Sequence, residues 1–574
     1  MLKNHVARAV AVLLMITTSL FTLPQSSVAF IPPPDTVSLG LEIKDDFSVG
    51  FGPSRFYGHE SDPALAMWCS TFDLPACTSA TTLWGEINWD MCTPTSQLEC
   101  IVEVWAIDPN GKRIAGEYVR NAPEEKTYDF LENTAINLPR SRGMGTVWRF
   151  PGAINSEGTD TYFVSVQSGL WMAKKKGDQV VDSRFTVSPP SAAIVAVKEM
   201  RGNFRPTIIS DPTIGEKAGI GGGSALGVQG KCIAIGFNDC QKVAQIPENF
   251  RFGMKIQTTQ NLTGWFHGRV LAPTISTELK FDRNTMRDVR YISIEAGSVK
   301  VPSIDFMVPN SQIPSEARAL TLNGKPWEWG HSGTSQAGIK INTLPSSPFI
   351  FDLLRTFSPS YKNKASATDT QWSFKTLEYF ENSKVGQCTS ANQDVAGIVT
   401  TNALGYSPGP PSYSESSGNL EYRVTSPHLE ANGTVATGTY DLVLKSDVAR
   451  CIYGFSNAPI KAEISIVGDE GETRVATTTV NEKEGWLYLS AKGFTFSAPK
   501  IQVKLSQTPP PVVDAPKQIE VTDNSSKTTQ ELAASNTVVK PKVIKKTSIT
   551  CTKGKAVRKV SGVSPKCPPG FKKR

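Results

Sequence analysis

Gly438-Thr439-Tyr440-Asp441-Leu442-Val443-Leu444 decides how this chain is read. Tyr440, Leu442 and Leu444 fall on alternate positions, the period of a strand with one buried face. The same period returns in Ile464 with Ile466, Trp486 with Tyr488, Phe494 with Phe496, and Ile501, Val503 and Leu505. Such runs at intervals of about 10 to 20 residues predict two packed sheets. The expected fold class is therefore mainly β, built of tandem β-sandwich (Ig-like) domains, and residues 386–506 form the clearest of them.

Toward the C-terminus the character changes. Pro509-Pro510-Pro511 opens a polar stretch, and no aromatic residue occurs between Phe496 and Phe571. Without large apolar side chains to bury, a segment does not offset its ordering entropy, so residues 507–545 are expected to be a flexible linker. Residues 546–574 then form a small basic module around Cys551 and Cys567. The last 35 residues carry twelve basic and no acidic side chains. Removing that +12, and the +2 of Lys3 and Arg8, from the total of +7 leaves −7 on residues 30–539. A mildly acidic body thus bears a strongly cationic tail.

Toward the N-terminus, residues 191–385 contain the strand-like runs Phe250–Ile256 and Val289–Ile294. They also contain one predicted helix, Pro348–Phe357, whose Ile350, Leu353, Leu354 and Phe357 share a face. This middle unit is expected to be β-rich or α+β. Residues 30–190 read as a further β-rich domain. There Ile101–Ile107 runs into Asp108-Pro109-Asn110-Gly111, a hairpin signal in which both central residues need positive φ.

Lys3 and Arg8 precede an apolar run from about Ala9 to Leu23, and Ser27-Val28-Ala29 follows with the small residues that signal peptidase reads. Residues 1–29 are expected to be a signal peptide cleaved after Ala29. The alternative, an uncleaved anchor, is disfavoured because a spanning helix needs about 20 apolar residues. No later segment is long and apolar enough to span, so no transmembrane helix is expected after cleavage. An even number of cysteines, ten, behind an export signal points to five disulfides and an oxidising address. Cys69/Cys77, Cys92/Cys100 and Cys232/Cys240 share one spacing, while Cys388/Cys451 and Cys551/Cys567 remain as longer closures. Pairing of neighbours is the simplest expectation, with Cys388 tying the first segment of its domain to a later strand. Sequence alone does not choose among the possible pairings. Zinc ligation would want C-x2-C pairs or nearby histidines, and neither occurs.

Three passages resemble known ones. Cys388–Leu505, especially Gly438–Leu444 with Ala449-Arg450-Cys451-Ile452-Tyr453-Gly454-Phe455 and Glu484-Gly485-Trp486-Leu487, resembles a recurrent domain of large uncharacterised secreted proteins of actinobacteria. Cys551–Lys555 with Pro565–Lys573 resembles the short basic two-cysteine module that ends such proteins. Cys92–Val104 and Gly264–Arg269 look similar to segments of the same architectures. The resemblance covers about half the chain; it implies an address and an architecture, and no mechanism.

Candidate chemistry is sparse. Gly330-His331-Ser332-Gly333-Thr334 approaches a nucleophile elbow but ends in Thr334 and lacks a convincing strand before it. His59, His267, His331 and His428 are dispersed singly, without zinc-binding spacing. Gly221-Gly222-Gly223 through Lys231 superficially looks like a phosphate loop, yet the motif would need glycine at Ala225 and a hydroxyl at Cys232. A glycosidase pair of carboxylates depends on spatial, not sequence, spacing. No catalytic, metal or cofactor residue is assigned on these grounds. A tethered cationic cluster attracts polyanions by about 1 kcal/mol per charge near an anionic surface. Lys545, Lys546, Lys553, Lys555, Arg558, Lys559, Lys566, Lys572, Lys573 and Arg574 are therefore the candidates for contact with cell-envelope polyanions. Nucleic acid is not the expected partner, because the tail lacks stacking aromatics. The reading is a secreted or cell-surface, non-enzymatic interaction or structural protein, with unknown protein or glycan partners. A secreted hydrolase acting on glycans or peptides, with its site in the middle unit, is the alternative.

Overall fold

The computed structural model describes residues 38–507, with internal gaps, and parts of residues 547–573. Contacts divide the chain after Pro510 into two compact units. The expected signal peptide, and nearly all of the expected linker, lie outside the described residues.

The larger unit is mainly β, as its alternating sequence predicts. Its longest sheet takes up, in spatial order, Met67–Cys69, Arg55–His59, Thr82–Asn88, Thr161–Ala173, Ser191–Arg201, Ser373–Leu377, Gly264–Arg269, Val395–Thr401, Thr437–Lys445, Trp486–Thr495 and Thr477–Lys483. A second sheet joins Cys100–Ile107 to Arg251–Thr258, and a third joins Ser38–Ile43 to Val299–Pro309 and Gly338–Thr343. Strands from the two sides of the cuts expected at 190 and 385 thus share ladders. Ala192 pairs with Val166 on one side and Phe374 on the other, and Phe266 pairs with Ile398. Alternation reports that a strand hides one face; it carries no information about which strand lies beside it.

Residues 395–507 are more self-contained. Strands Asn419–Thr425, Ile460–Val467 and Lys500–Gln507 form their own sheet. Their inward residues, among them Tyr422, Ile464 and Val503, share one core with Tyr440, Leu442, Leu444 and Leu489 of the long sheet. Trp265 and Leu377 enter that core from earlier in the chain.

Helix Ile350–Phe357 forms as its period predicts and buries Ile350, Leu353, Leu354 and Phe357. The long disulfide corrects an expectation. Cys388 lies in helix Lys384–Asn392 and Cys451 in helix Ser446–Tyr453, so the bond clips two helices together and touches no strand. The second helix stops where Gly454 adopts φ 66° and returns its N–H to the carbonyls of Arg450 and Cys451. Cys92–Cys100 and Cys232–Cys240 pair as neighbours; Cys77 in the larger unit and Cys567 in the smaller each take part in a disulfide of their own.

The turn at Asn110-Gly111 also differs from expectation. Only Gly111 has positive φ, at 83°, while Asp108 accepts the N–H groups of Asn110 and Lys112 on its carboxylate. A side-chain-stabilised loop replaces the two-residue mirror turn. That tighter turn occurs at Glu484-Gly485, with φ of 53° and 77°, between Thr477–Lys483 and Trp486–Thr495.

Candidate functional site

Where the third sheet meets the long one, a groove of about 390 Å³ opens. One wall is built from Ser38–Ile43 and its extension to Asp45, with Val299–Pro309 and Ala367–Gln371; the other comes from Ser191–Arg201 and Asp239–Val243. Strand alternation turns acids into it. Glu42 and Asp305 are register partners, and Lys340 bridges both, at 3.2 and 2.6 Å. Asp369 accepts from Gln245 Nε2 at 3.3 Å, while Gln245 Oε1 accepts the Thr370 N–H at 2.7 Å. Ser373, 1% exposed, lines the floor with a hydroxyl that has no hydrogen-bond partner, and Gln371 Oε1 is likewise unpartnered.

Asp45 connects this groove to a buried polar layer. Its carboxylate accepts Arg269 Nε at 2.5 Å, and Arg269, fully buried, also donates to the carbonyls of Thr401, Ala403 and Leu404 at 2.8, 2.6 and 3.0 Å. One ion pair and three charge-assisted hydrogen bonds satisfy most of its fork, the condition under which a buried charge is tolerated. The guanidinium stands 4.7 Å from the Tyr406 ring centroid. His267 stacks on that same ring at 3.6 Å, nearly parallel. Tyr422 Oη lies 3.3 Å from His267 Nδ1 and donates to the Ser407 carbonyl at 3.1 Å. Burial, reinforced by Arg269 and Lys375, holds the imidazole well below its ordinary pKa. Burial also lowers Lys375; Asp45 opposes that shift and Arg269 adds to it. This layer is built of neutralised and stacked groups, and its histidine is closed to solvent. It is a structural clamp between Gly264–Arg269 and the 401–406 segment.

The other histidines remain apart. His428 sits in a bend with its N–H on Asn363 Oδ1, and the carbonyl of His59 accepts from Thr81. His331 lies outside the described residues. Ser332 begins the strand Ser332–Ser335, so the chain there does not make the strand-to-helix turn a nucleophile elbow needs. Gly221 ends a strand, and 222–231 lie outside the described residues. Among the described residues no three His, Cys, Asp or Glu side chains are grouped to hold a metal ion, and no helix is long and apolar enough to cross a membrane. Disulfides and the lack of such a helix among those residues are compatible with an extracellular protein.

In the smaller unit, Thr547–Lys553 pairs with Ala556–Gly562 on one side and Lys572–Lys573 on the other. The register aligns Arg558, Cys551 and Lys573 across three strands, with Lys559 opposite Thr550 and Lys572 opposite Thr552. Lys553, Arg558, Lys559, Lys572 and Lys573 are thereby gathered on one small sheet, and Lys572 and Lys573 are exposed. Lys545, Lys546, Lys555, Lys566 and Arg574 lie outside the described residues.

The groove and the Arg269 clamp escaped the sequence reading. Asp45, Arg269 and Tyr406 are too far apart in the chain for any local pattern to link them. Only the polar residues inside the otherwise apolar Gly264–Arg269 strand hint at a buried network. Compared with known proteins, the chain matches no family model, no curated protein and no solved structure.

Proposed function

We propose that the protein is a secreted or cell-surface interaction protein whose acidic, sheet-built body is held near the cell envelope by its basic tail. The observation that carries this reading is the register of the small sheet, which concentrates five cationic positions on three short strands. A small module so densely charged associates with phosphate- or carboxylate-bearing polymers in a salt-dependent way. The body and the tail are separate compact units, so the tail is assigned the role of attachment device. One surface of the body is a row of aromatic residues on neighbouring strands. Tyr57 pairs with Trp84 and Trp84 with Trp171, and the two tryptophans are 41% and 52% exposed. Solvent-facing aromatics in a row are the composition of a recognition surface.

The groove favours binding over hydrolysis. Asp45, Glu42 and Asp305 are engaged in ion pairs, leaving Asp369 alone without a cationic partner among the groove's described carboxylates.

Retention on an immobilised polyglycerol-phosphate polymer tests the tail. The full chain is expected to bind at low salt and to elute as salt rises, whereas a chain ending at residue 539 passes through. Equal retention and equal salt sensitivity of both would overturn the proposal.

A further inference from the structure

Strand Leu271–Asp282 ends its five-stranded sheet, and among the described residues its one ladder partner is Arg287–Gly297. Its core-facing row begins inside the protein and runs out of it. Ile275 is 3% exposed, Thr277 is anchored to Asp394 by a 2.9 Å hydrogen bond, and then Leu279 and Phe281 are 56% and 55% exposed. The body stops while the apolar period continues. On the opposite face Glu278 and Lys280 form a 3.0 Å ion pair.

We propose that this overhanging edge pairs antiparallel with the same strand of a second copy, about a two-fold axis at Leu279. An edge strand presents unpaired N–H and C=O groups that template such pairing. The sequence around Leu279 is self-complementary for it. With the axis there, Leu279 faces Leu279, Thr277 faces Phe281, and Glu278 faces Lys280 twice. Charged residues usually protect an edge by leaving like charges opposite one another. Here their spacing does the reverse, placing two acid–base pairs on one face while the apolar pairs occupy the other. The hairpin from Glu278 to Asp288 carries three acids and three bases, so it has no net attraction for an anionic membrane. The ladder covers about seven residues per copy, which places the dimer in the weak, concentration-dependent class, with a Kd on the order of 100 µM.

Sedimentation of the full chain, from dilute solution to about 1 mM, is expected to show a monomer–dimer equilibrium. Leu279→Cys is expected to yield a disulfide-linked dimer on mild oxidation, because the substituted positions face each other. Phe281→Cys, facing Thr277, should not cross-link. Native thiols do not interfere, since no free cysteine occurs among the described residues. Lys280→Glu should raise the dissociation constant roughly tenfold, and adding Glu278→Lys to it should restore the wild-type value. A monomer throughout the concentration range, equal cross-linking of both cysteine variants, or failure of the double variant to recover would each overturn the proposal. Because Leu279, Phe281 and Lys280 are exposed, these variants are expected to retain the wild-type circular dichroism spectrum, which verifies that folding is not the cause.

Discussion

Residues 395–507 and residues 38–377 use the same ingredients to opposite effect. In the former, strands pair mostly with others of the same stretch, and one bond between Cys388 and Cys451 clips two helices beside them. In the latter, strands interleave: Ser38–Ile43 lies between Val299–Pro309 and Gly338–Thr343, and Cys100–Ile107 beside Arg251–Thr258. Both stretches show a clear period of two. The difference teaches that alternation identifies strands equally well in either case, while it locates a domain only where partners are close in sequence. Interleaved ladders must first meet the entropy of closing long loops, and nothing local records which closure wins.

Arg269 bridges the two regions, so its removal is expected to be the most damaging single change. Arg269→Ala leaves Asp45 without its ion-pair partner and three carbonyls of the 401–404 segment without donors. A loss of about 3–5 kcal/mol in unfolding free energy is expected in denaturant titrations. A loss below about 1 kcal/mol would mean that the two regions are not coupled through this clamp.

Replacing Cys388 and Cys451 by alanine is expected to weaken the self-contained region selectively. A closed loop of about 64 residues is worth roughly 4 kcal/mol by chain entropy, less whatever structure the unfolded chain retains. Hydrogen exchange should show protection falling first in Asn419–Thr425, Ile460–Val467 and Lys500–Gln507. The Cys100–Ile107 with Arg251–Thr258 ladder should keep its protection at that point. Simultaneous loss in both would show that the self-contained region has no separate stability.

The smallest effect is one of pH. His267 is buried with its pKa depressed, so the folded state declines a proton that the unfolded state accepts below about pH 6.5. Stability therefore falls as pH drops through that value, by about 1.4 kcal/mol at pH 5.5 for this one group. His267→Phe should remove that increment from the pH dependence while keeping the stack on Tyr406. Identical slopes for the two proteins between pH 5 and 7 would show that the imidazole protonates in place.

Several features were legible in the amino-acid sequence by itself because they are local. Alternation marked the strands around Tyr440, Trp486 and Ile501, and a helical stripe marked Ile350–Phe357. Neighbouring cysteines indicated Cys92–Cys100 and Cys232–Cys240, and composition separated a cationic tail from an acidic body. Tertiary structure alone decided which strands share a ladder, that Cys388 joins helix to helix, and that acids from three separate strands line one groove. It also decided that Asp45 meets Arg269 across 224 positions of chain. The physical reason is one of range: backbone preference and side-chain period act over a few residues, whereas pairing and desolvation are settled by the whole chain competing for the same interior.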